Sequence, residues 1–147
     1  MREILFRGKR KYGGDWVEGF YYVQRGKYAG DKTFIYEEPK ITTGIVETSG
    51  AYGETHKDIE YTVIPETVGQ YTGLTDKNGK KIFEGDVVRY MNKDIMVVVW
   101  YEGSASFVIA YSAINFDYLA SIMSAHLFLE VIGNIHDNPE LLKGGEE

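Results

Sequence analysis

The residues with the clearest potential for chemistry lie at positions 73–90, in the stretch GLTDKNGKKIFEGDVVRY. Its glycines, lysines and aspartates could form a phosphate-binding loop or a calcium-binding loop. A phosphate-binding P-loop places four residues between its first glycine and a Gly-Lys-Ser/Thr sequence. Here five residues separate Gly73 from Gly79, and Lys80 is followed by Lys81 instead of a hydroxyl residue. The spacing argues against nucleotide binding.

The same stretch also fails as a calcium loop. A loop that begins at Asp76 places lysines at its fifth and sixth positions, where an oxygen ligand and a glycine are needed. Its twelfth position is Val87, where calcium requires a glutamate that ligates through two oxygens. We therefore predict neither a metal nor a cofactor.

Two consecutive turns account for this composition. Asn78-Gly79 is a strong signal for a two-residue type I′ hairpin turn, whose central residues both need positive φ. A second turn is predicted at FEGD, where Gly85 can adopt positive φ and the carboxylate of Asp86 can accept backbone N–H groups. The predicted structural turn motif is Asn78, Gly79, Gly85 and Asp86. The residues predicted to contact a partner are Lys80, Lys81, Arg89 and Tyr71.

Three histidines are the remaining candidates for catalysis, and they lie in separate contexts. His56 is in a polar loop, His126 ends a predicted helix, and His136 precedes Asp137 where the last strand ends. His136 and Asp137 could form a metal site or an acid–base pair, but a capped turn at NPELL is the simpler interpretation. No G-x-S-x-G sequence occurs. We predict a protein that is not an enzyme.

The composition predicts a β-rich protein with a sizeable core. Hydrophobic residues make up 44% of the 147 residues, and the twelve tyrosines and seven phenylalanines suit pleated sheets. The absence of cysteine excludes disulfides and thiolate ligands. The longest apolar run, 95–101, is too short to cross a bilayer, and the N-terminus has no signal-peptide pattern. We expect a soluble, cytoplasmic protein.

Short apolar runs bounded by turn residues predict antiparallel strands. Both faces of the strand expected at 16–24 are apolar, so we expect it to be covered on both sides, and 48–58 is expected to be an exposed loop. Helical spacing of apolar residues predicts one helix at 114–126. The predicted strands are 2–7, 16–24, 32–38, 41–47, 59–64, 86–90, 95–101, 106–111 and 128–135.

These elements predict a single domain over residues 1–147 with two lobes. Residues 1–64 are expected to form an N-terminal β-sheet. Residues 65–147 are expected to form a small SH3-like antiparallel barrel that includes the helix, since four or five short strands with tight turns suit such a barrel.

The net charge of −6 is unevenly distributed. Residues 1–65 carry ten basic and ten acidic side chains, whereas residues 66–147 carry six and twelve. This acidic half argues against a duplex-binding surface, because neutralisation of phosphates drives that affinity. The basic cluster that could bind an anion, or be a solvated loop, is Arg7, Lys9, Arg10 and Lys11.

Three blocks of the sequence resemble a known family. PETVGQYTGLTDKNGKKIFEGDVVRY resembles the central signature of the YopX family, small proteins encoded by phages and prophages of bacteria. REILFRGKR with GGDWVEGFYY, and LEVIGNIHDNPELL, resemble its other two blocks. The resemblance implies a mostly β protein of a bacterial host's mobile elements, and it implies no catalytic residues.

Two functions follow as hypotheses. The first is a non-enzymatic accessory protein that acts through protein–protein contacts, including homo-oligomer formation through exposed strand edges or aromatic patches. The alternative is a single-stranded nucleic-acid-binding module in which tyrosines stack on bases. Its cations would be Lys9, Arg10, Lys11, Lys80, Lys81 and Arg89.

Overall fold

The computed structural model describes residues 3–37, 41–45, 52–56, 59–112 and 119–143. The prediction of a mostly β fold is confirmed. The strands of the described residues are β1 (Phe6–Lys9), β2 (Trp16–Gln24), β3 (Lys32–Glu37), β4 (Ile41–Ile45), β5 (Tyr52–His56), β6 (Ile59–Thr62), β7 (Gly69–Thr75), β8 (Lys81–Phe83), β9 (Asp86–Tyr90), β10 (Asp94–Tyr101), β11 (Ser106–Ala110), β12 (Leu119–Ser121) and β13 (Leu129–Asn134). The helices are α1 (Ile122–Ala125) and α2 (Glu140–Lys143), with 3₁₀ turns at Pro65–Thr67 and His126–Phe128.

The chain divides into two compact units. We call Leu5–Val68 the N-terminal unit, and Gly69–Glu147 together with Met1–Ile4 the C-terminal unit. None of the helices in the described part of the chain has the length and hydropathy of a membrane span.

In the N-terminal unit, four strands form an antiparallel sheet in the order β6-β3-β2-β1, and β4 pairs with β5. The sheet is closed at one end by Val63, which forms a bridge with Arg10 and is 2% exposed. A side chain at Gly8 would lie 3.1 Å from the side-chain carbons of Val63, so the absence of a Cβ permits this close packing.

Strand β2 is more exposed than its apolar sequence predicts. The side chains from Phe20 to Val23 are 39–51% exposed. Our expectation that both faces of this strand are covered is therefore wrong. Alternation shows which residues share a face, but it does not show whether another layer packs on that face.

In the C-terminal unit, five antiparallel strands follow the order β12-β11-β10-β9-β13, and β7 pairs with β8. This order, with a helical turn between β12 and β13, is compatible with the expected SH3-like arrangement. The core of the unit consists of buried aliphatic side chains from nearly all of its elements. They are Ile82, Val88, Met96, Val98, Ile109, Ile122, Ala125 and Leu129.

Two predicted elements differ from the structure. Tyr52–His56 forms strand β5 inside the predicted loop 48–58, because every residue of it pairs with β4. The strand propensity of these residues is low, so the sequence alone did not predict this pairing. Leu119–Ser121 forms a strand inside the predicted helix 114–126, because it pairs with β11, and α1 begins only at Ile122. The first part of that predicted helix, 114–118, lies outside the described residues.

We expect the Ile109→Ala substitution to lower the free energy of unfolding by about 2–5 kcal/mol, because it opens a cavity at a fully buried position. Met123→Ala is the control, since this side chain is 75% exposed, and it should change stability by less than about 0.5 kcal/mol. Urea denaturation of both variants measures the difference. Equal effects would contradict the assignment of Ile109 to the core.

Candidate functional site

The turn between β7 and β8 is organised by the carboxylate of Asp76. Its Oδ1 accepts the backbone N–H groups of Asn78 and Lys80, each at 2.9 Å. Its Oδ2 accepts the N–H group of Val131 in β13, also at 2.9 Å. The residue is only 4% exposed. One buried side chain therefore ties this turn to a strand that is distant in sequence.

The geometry of the turn differs from the predicted type I′. Gly79 has a φ of 81°, but Asn78 does not have positive φ. The N–H of Gly79 donates to the carbonyl of Asp76 at 3.0 Å, and the N–H of Asp76 donates to the carbonyl of Lys80 at 2.8 Å. The connection is thus a three-residue loop with glycine at its left-handed position. The prediction was wrong because the Asp76 side chain stabilises this wider loop.

A turn with positive φ at both central residues does occur, within the three-residue connection between β9 and β10. Met91 and Asn92 have φ values of 52° and 59°, and the N–H of Lys93 donates to the carbonyl of Tyr90 at 3.0 Å. Asn tolerates this conformation, whereas a long side chain such as Met adopts it rarely.

The second turn of the motif, FEGD, is held from several sides. Gly85 has a φ of 89°, and its N–H donates to the carbonyl of Val98 at 2.8 Å. Its own carbonyl accepts the N–H of Ile135 at 2.9 Å. Asp86 is 1% exposed, and its Oδ2 accepts the N–H of Phe83 at 2.8 Å. Both turns of the motif serve the framework of the C-terminal unit.

The four residues predicted to contact a partner lie in different environments, although Lys81 Nζ lies 5.2 Å from the centre of the Tyr71 ring. Lys80 is exposed on its turn. Lys81 Nζ lies 3.2 Å from Glu3 Oε1, and Arg89 Nη1 lies 3.3 Å from an oxygen of Glu130. Tyr71 is 8% exposed and packs on Phe83, with 5.5 Å between ring centres. The burial of Tyr71 contradicts its proposed role as a contact residue.

The candidates for catalysis are also dispersed. His126 Nδ1 lies 2.9 Å from the carbonyl oxygen of Thr75. The Oδ1 of Asn134 accepts the N–H groups of His136 and Asp137 at 3.0 and 2.9 Å, which forms a compact turn before α2. His56 ends strand β5. The residues that the structure describes hold no group of three or more His, Asp or Glu placed for a metal ion.

Sequence reasoning missed a groove of about 420 Å³ in the C-terminal unit. Trp100 contributes a 43% exposed indole, which meets Phe107 edge to face with 5.1 Å between ring centres, and Met123 is 75% exposed. None of the lining residues that the structure describes is charged. They are Gln70, Thr72, Gly73, Leu74, Trp100, Ala105, Ser106, Phe107, Ser121, Ile122 and Met123.

Two carboxylates beside the turn motif, those of Asp76 and Glu84, have shifted pKa values. Burial raises the pKa of Asp76, but the N–H donors of Val131, Lys80 and Asn78, aided by the Lys80 charge, outweigh burial and hold it below the ordinary value of 3.8. Burial alone raises the pKa of Glu84 above its ordinary value of 4.5. The first carboxylate is therefore stabilised in its charged form and the second in its neutral form.

Asp76→Asn should lower the free energy of unfolding at neutral pH by about 1–3 kcal/mol, because an amide cannot satisfy all three N–H donors. Asp76 has a lowered pKa, so its stabilisation is present above the unfolded value and is lost as the pH falls through the folded value. Urea denaturation between about pH 5 and pH 2 should therefore show a shallower pH slope in the variant. An unchanged slope would contradict this role, and exposed Asp31→Asn is the control.

Glu84→Gln should raise the melting temperature near neutral pH. The raised pKa means that the folded state favours the protonated carboxyl, whose stabilisation is present below 4.5 and is lost as the pH rises through the folded value. The neutral amide removes the cost of burying the charge, so the gain should disappear in acid. Thermal unfolding at neutral pH and in acid measures this change in melting temperature, with exposed Glu102→Gln as the control. A gain that is equal at both pH values would exclude this explanation.

Comparisons with known proteins agree with the fold. The solved structure of protein EF1440 from Enterococcus faecalis is similar over 97% of this chain and 99% of its own, with a TM-score of 0.54 and 23% sequence identity. None of the curated proteins matches the chain. The family model for the YopX protein matches residues 5–143, which include both turns of the motif and every residue that lines the groove. The chain therefore belongs to the YopX family.

Proposed function

We propose that this protein is a non-enzymatic accessory protein of a phage or prophage that acts by binding other proteins. The phage association is what its family resemblance implies. The groove of the C-terminal unit carries the proposal, and its occupant is an uncharged, apolar segment of a partner protein. Burial of apolar surface is the main favourable contribution to such association.

The exposed side chains of the groove supply this contribution. Trp100 and Met123 are large, apolar and 43–75% exposed. Tryptophan at the centre of a contact commonly dominates binding energy, and methionine adapts to irregular surfaces. Together with Phe107 they offer a partner side chain a wide apolar wall.

The polar groups of the groove suit an extended backbone. The hydroxyl of Ser121 and the amide of Gln70 can donate and accept hydrogen bonds. The Thr72 hydroxyl already donates to the carbonyl of Ile82 at 2.8 Å, and the Ser106 hydroxyl lies 2.8 Å from that of Ser104. A peptide that enters an apolar groove needs a few such partners, because its buried backbone groups must remain hydrogen-bonded.

The absence of charge in the lining selects against ionic ligands. Charged residues make up 26% of the chain, but none of the described residues that line the groove is charged. A charged side chain or a phosphate bound there would lose hydration without gaining an opposite charge. The groove therefore favours a protein segment over nucleic acid.

Selection of peptides from a random displayed library against the purified protein tests the proposal. Selected peptides should be uncharged and apolar at their centre, and Trp100→Lys should weaken their binding at least about tenfold, as expected for loss of a central aromatic contact. The Trp16→Phe background leaves Trp100 as the sole tryptophan, so peptide binding should shift its fluorescence.

Phe128→Lys is the matched control, because Phe128 is 52% exposed in the same unit but does not line the groove. Selected peptides that are charged, or that bind both variants equally, would refute the proposal. Light scattering of the wild type and Trp100→Lys tests whether a second copy of this chain is the partner, since a dimer through the groove should dissociate in the variant.

A further inference from the structure

One face of the N-terminal sheet carries aromatic and basic side chains together. In β2, the even-numbered residues Trp16, Glu18, Phe20 and Tyr22 point to the same side of the sheet. The register adds the residues opposite them in the neighbouring strands. These are Arg7 and Lys9 of β1, Lys32 and Phe34 of β3, and Glu60 and Thr62 of β6. We call this set the even face.

Contacts among the side chains agree with this assignment. The guanidinium carbon of Arg7 lies 4.8 Å from the centre of the Trp16 ring. The rings of Tyr22 and Phe34 are stacked, with 5.1 Å between centres and 22° between planes. The hydroxyl of Tyr22 donates to Glu60 Oε2. These contacts fix the orientation of the Trp16 and Tyr22 rings before any ligand arrives.

The even face is open to solvent. Phe20 is 51% exposed and Tyr22 is 39% exposed, whereas Phe34 beneath Tyr22 is 7% exposed. Exposed aromatic rings on a sheet that are held in place by a buried neighbour can stack on planar ligands at a small cost in side-chain entropy.

The surrounding surface is basic, unlike the chain as a whole. Residues 5–32 contain seven basic and three acidic side chains, together with seven aromatic ones. At the turns beyond the two ends of β2, Lys11 lies over Tyr12 and Lys27 lies over Tyr28, with the rings 71% and 91% exposed. Cations therefore flank an aromatic strand about 30 Å long.

We propose that the even face binds single-stranded nucleic acid, with unpaired bases stacked on Phe20 and Tyr22 and the backbone near Arg7, Lys9 and Lys32. Base–aromatic stacking on a platform with flanking cations is how proteins bind single strands without reading sequence. A duplex hides the faces of its bases, and an acidic peptide has no bases that could stack on these rings.

Of the cations that the sequence alone suggested, this site keeps Lys9. Lys80, Lys81 and Arg89 belong to the C-terminal unit, where Lys81 and Arg89 are paired with carboxylates. The even face also holds Glu18 and Glu60, so its charge is only weakly positive. Stacking must then supply most of the affinity, and the salt dependence should be shallow.

Fluorescence of the full-length Trp100→Phe variant tests the proposal. Trp16 is then the sole tryptophan, so the signal comes from the even face alone. A single-stranded oligothymidylate of about 15 nucleotides, which covers one such site, should quench its fluorescence at ~50 mM salt, where charges are little screened. Phe20→Ala should weaken binding about five- to a hundredfold, which is the loss expected from one stacked base.

Matched variants keep the outcome interpretable. Phe20→Leu preserves apolar volume without the planar ring and should weaken binding similarly, while Phe128→Ala, an equally exposed aromatic of the C-terminal unit, should not. Circular dichroism verifies that each variant is folded. Equal binding by Phe20→Leu and the wild type, or no binding at all, would overturn the proposal.

Competition distinguishes the source of binding. Duplex of the same length should compete poorly, and so should polyglutamate. If polyglutamate displaces the oligonucleotide as well as an unlabelled single strand does, the face binds anions by charge and the stacking proposal is wrong. Phe20→Leu should leave peptide binding in the groove unchanged, and Trp100→Lys should leave nucleic-acid binding unchanged, so each proposal can fail without the other.

Discussion

The interaction on which the C-terminal unit depends is the set of three hydrogen bonds that the Asp76 carboxylate accepts from backbone N–H groups. A buried carboxylate is stable only when such donors replace its water. Two of the donors lie within its own turn, and the third, Val131, lies 55 residues further along the chain. The same side chain therefore shapes the hairpin and fixes β13 beside it.

A second carboxylate extends this framework. Strand β13 pairs with β9, and β9 begins at Asp86, which accepts the N–H of Phe83 at the end of β8. Strand β8 is thus preceded by a turn that buried Asp76 stabilises and followed by a turn that buried Asp86 stabilises. The glycines and lysines that resemble a ligand loop are there because these turns need positive φ and solvent-exposed tips.

The sequence predicted elements whose signals are local. The bounds of β2 and β9 agree with the predicted strands, because each is a short apolar run between turn residues. The turn at Asn78-Gly79 was predicted in the right place but with the wrong geometry, since the Asp76 side chain accepts the N–H groups of Asn78 and Lys80 and stabilises a wider loop. The helix prediction was wrong at Leu119–Ser121 because pairing with β11 overrides helical spacing.

The surfaces proposed to bind could not be found from residue types. Trp100 lies within the apolar run 95–101. Only the three-dimensional structure shows that its ring is exposed while Val97 and Val98 of the same strand are buried. Phe20 and Tyr22 were expected to be covered for the same reason. Exposure depends on which other elements pack on a face, and single-sequence periodicity does not contain that information.

The groove is lined by two parts of the sequence, one inside and one outside the blocks that resemble the family. One wall comes from β7, which belongs to the stretch that resembles the family signature. The facing residues, Trp100, Ala105–Phe107 and Ser121–Met123, lie outside all three resembling blocks. The turn motif holds the first wall in place. The second wall is held by the core itself, because Ile122 is 3% exposed and Phe107 packs against the same buried cluster. The exposed side chains of Trp100 and Met123 therefore stand on a framework that is fixed from both sides.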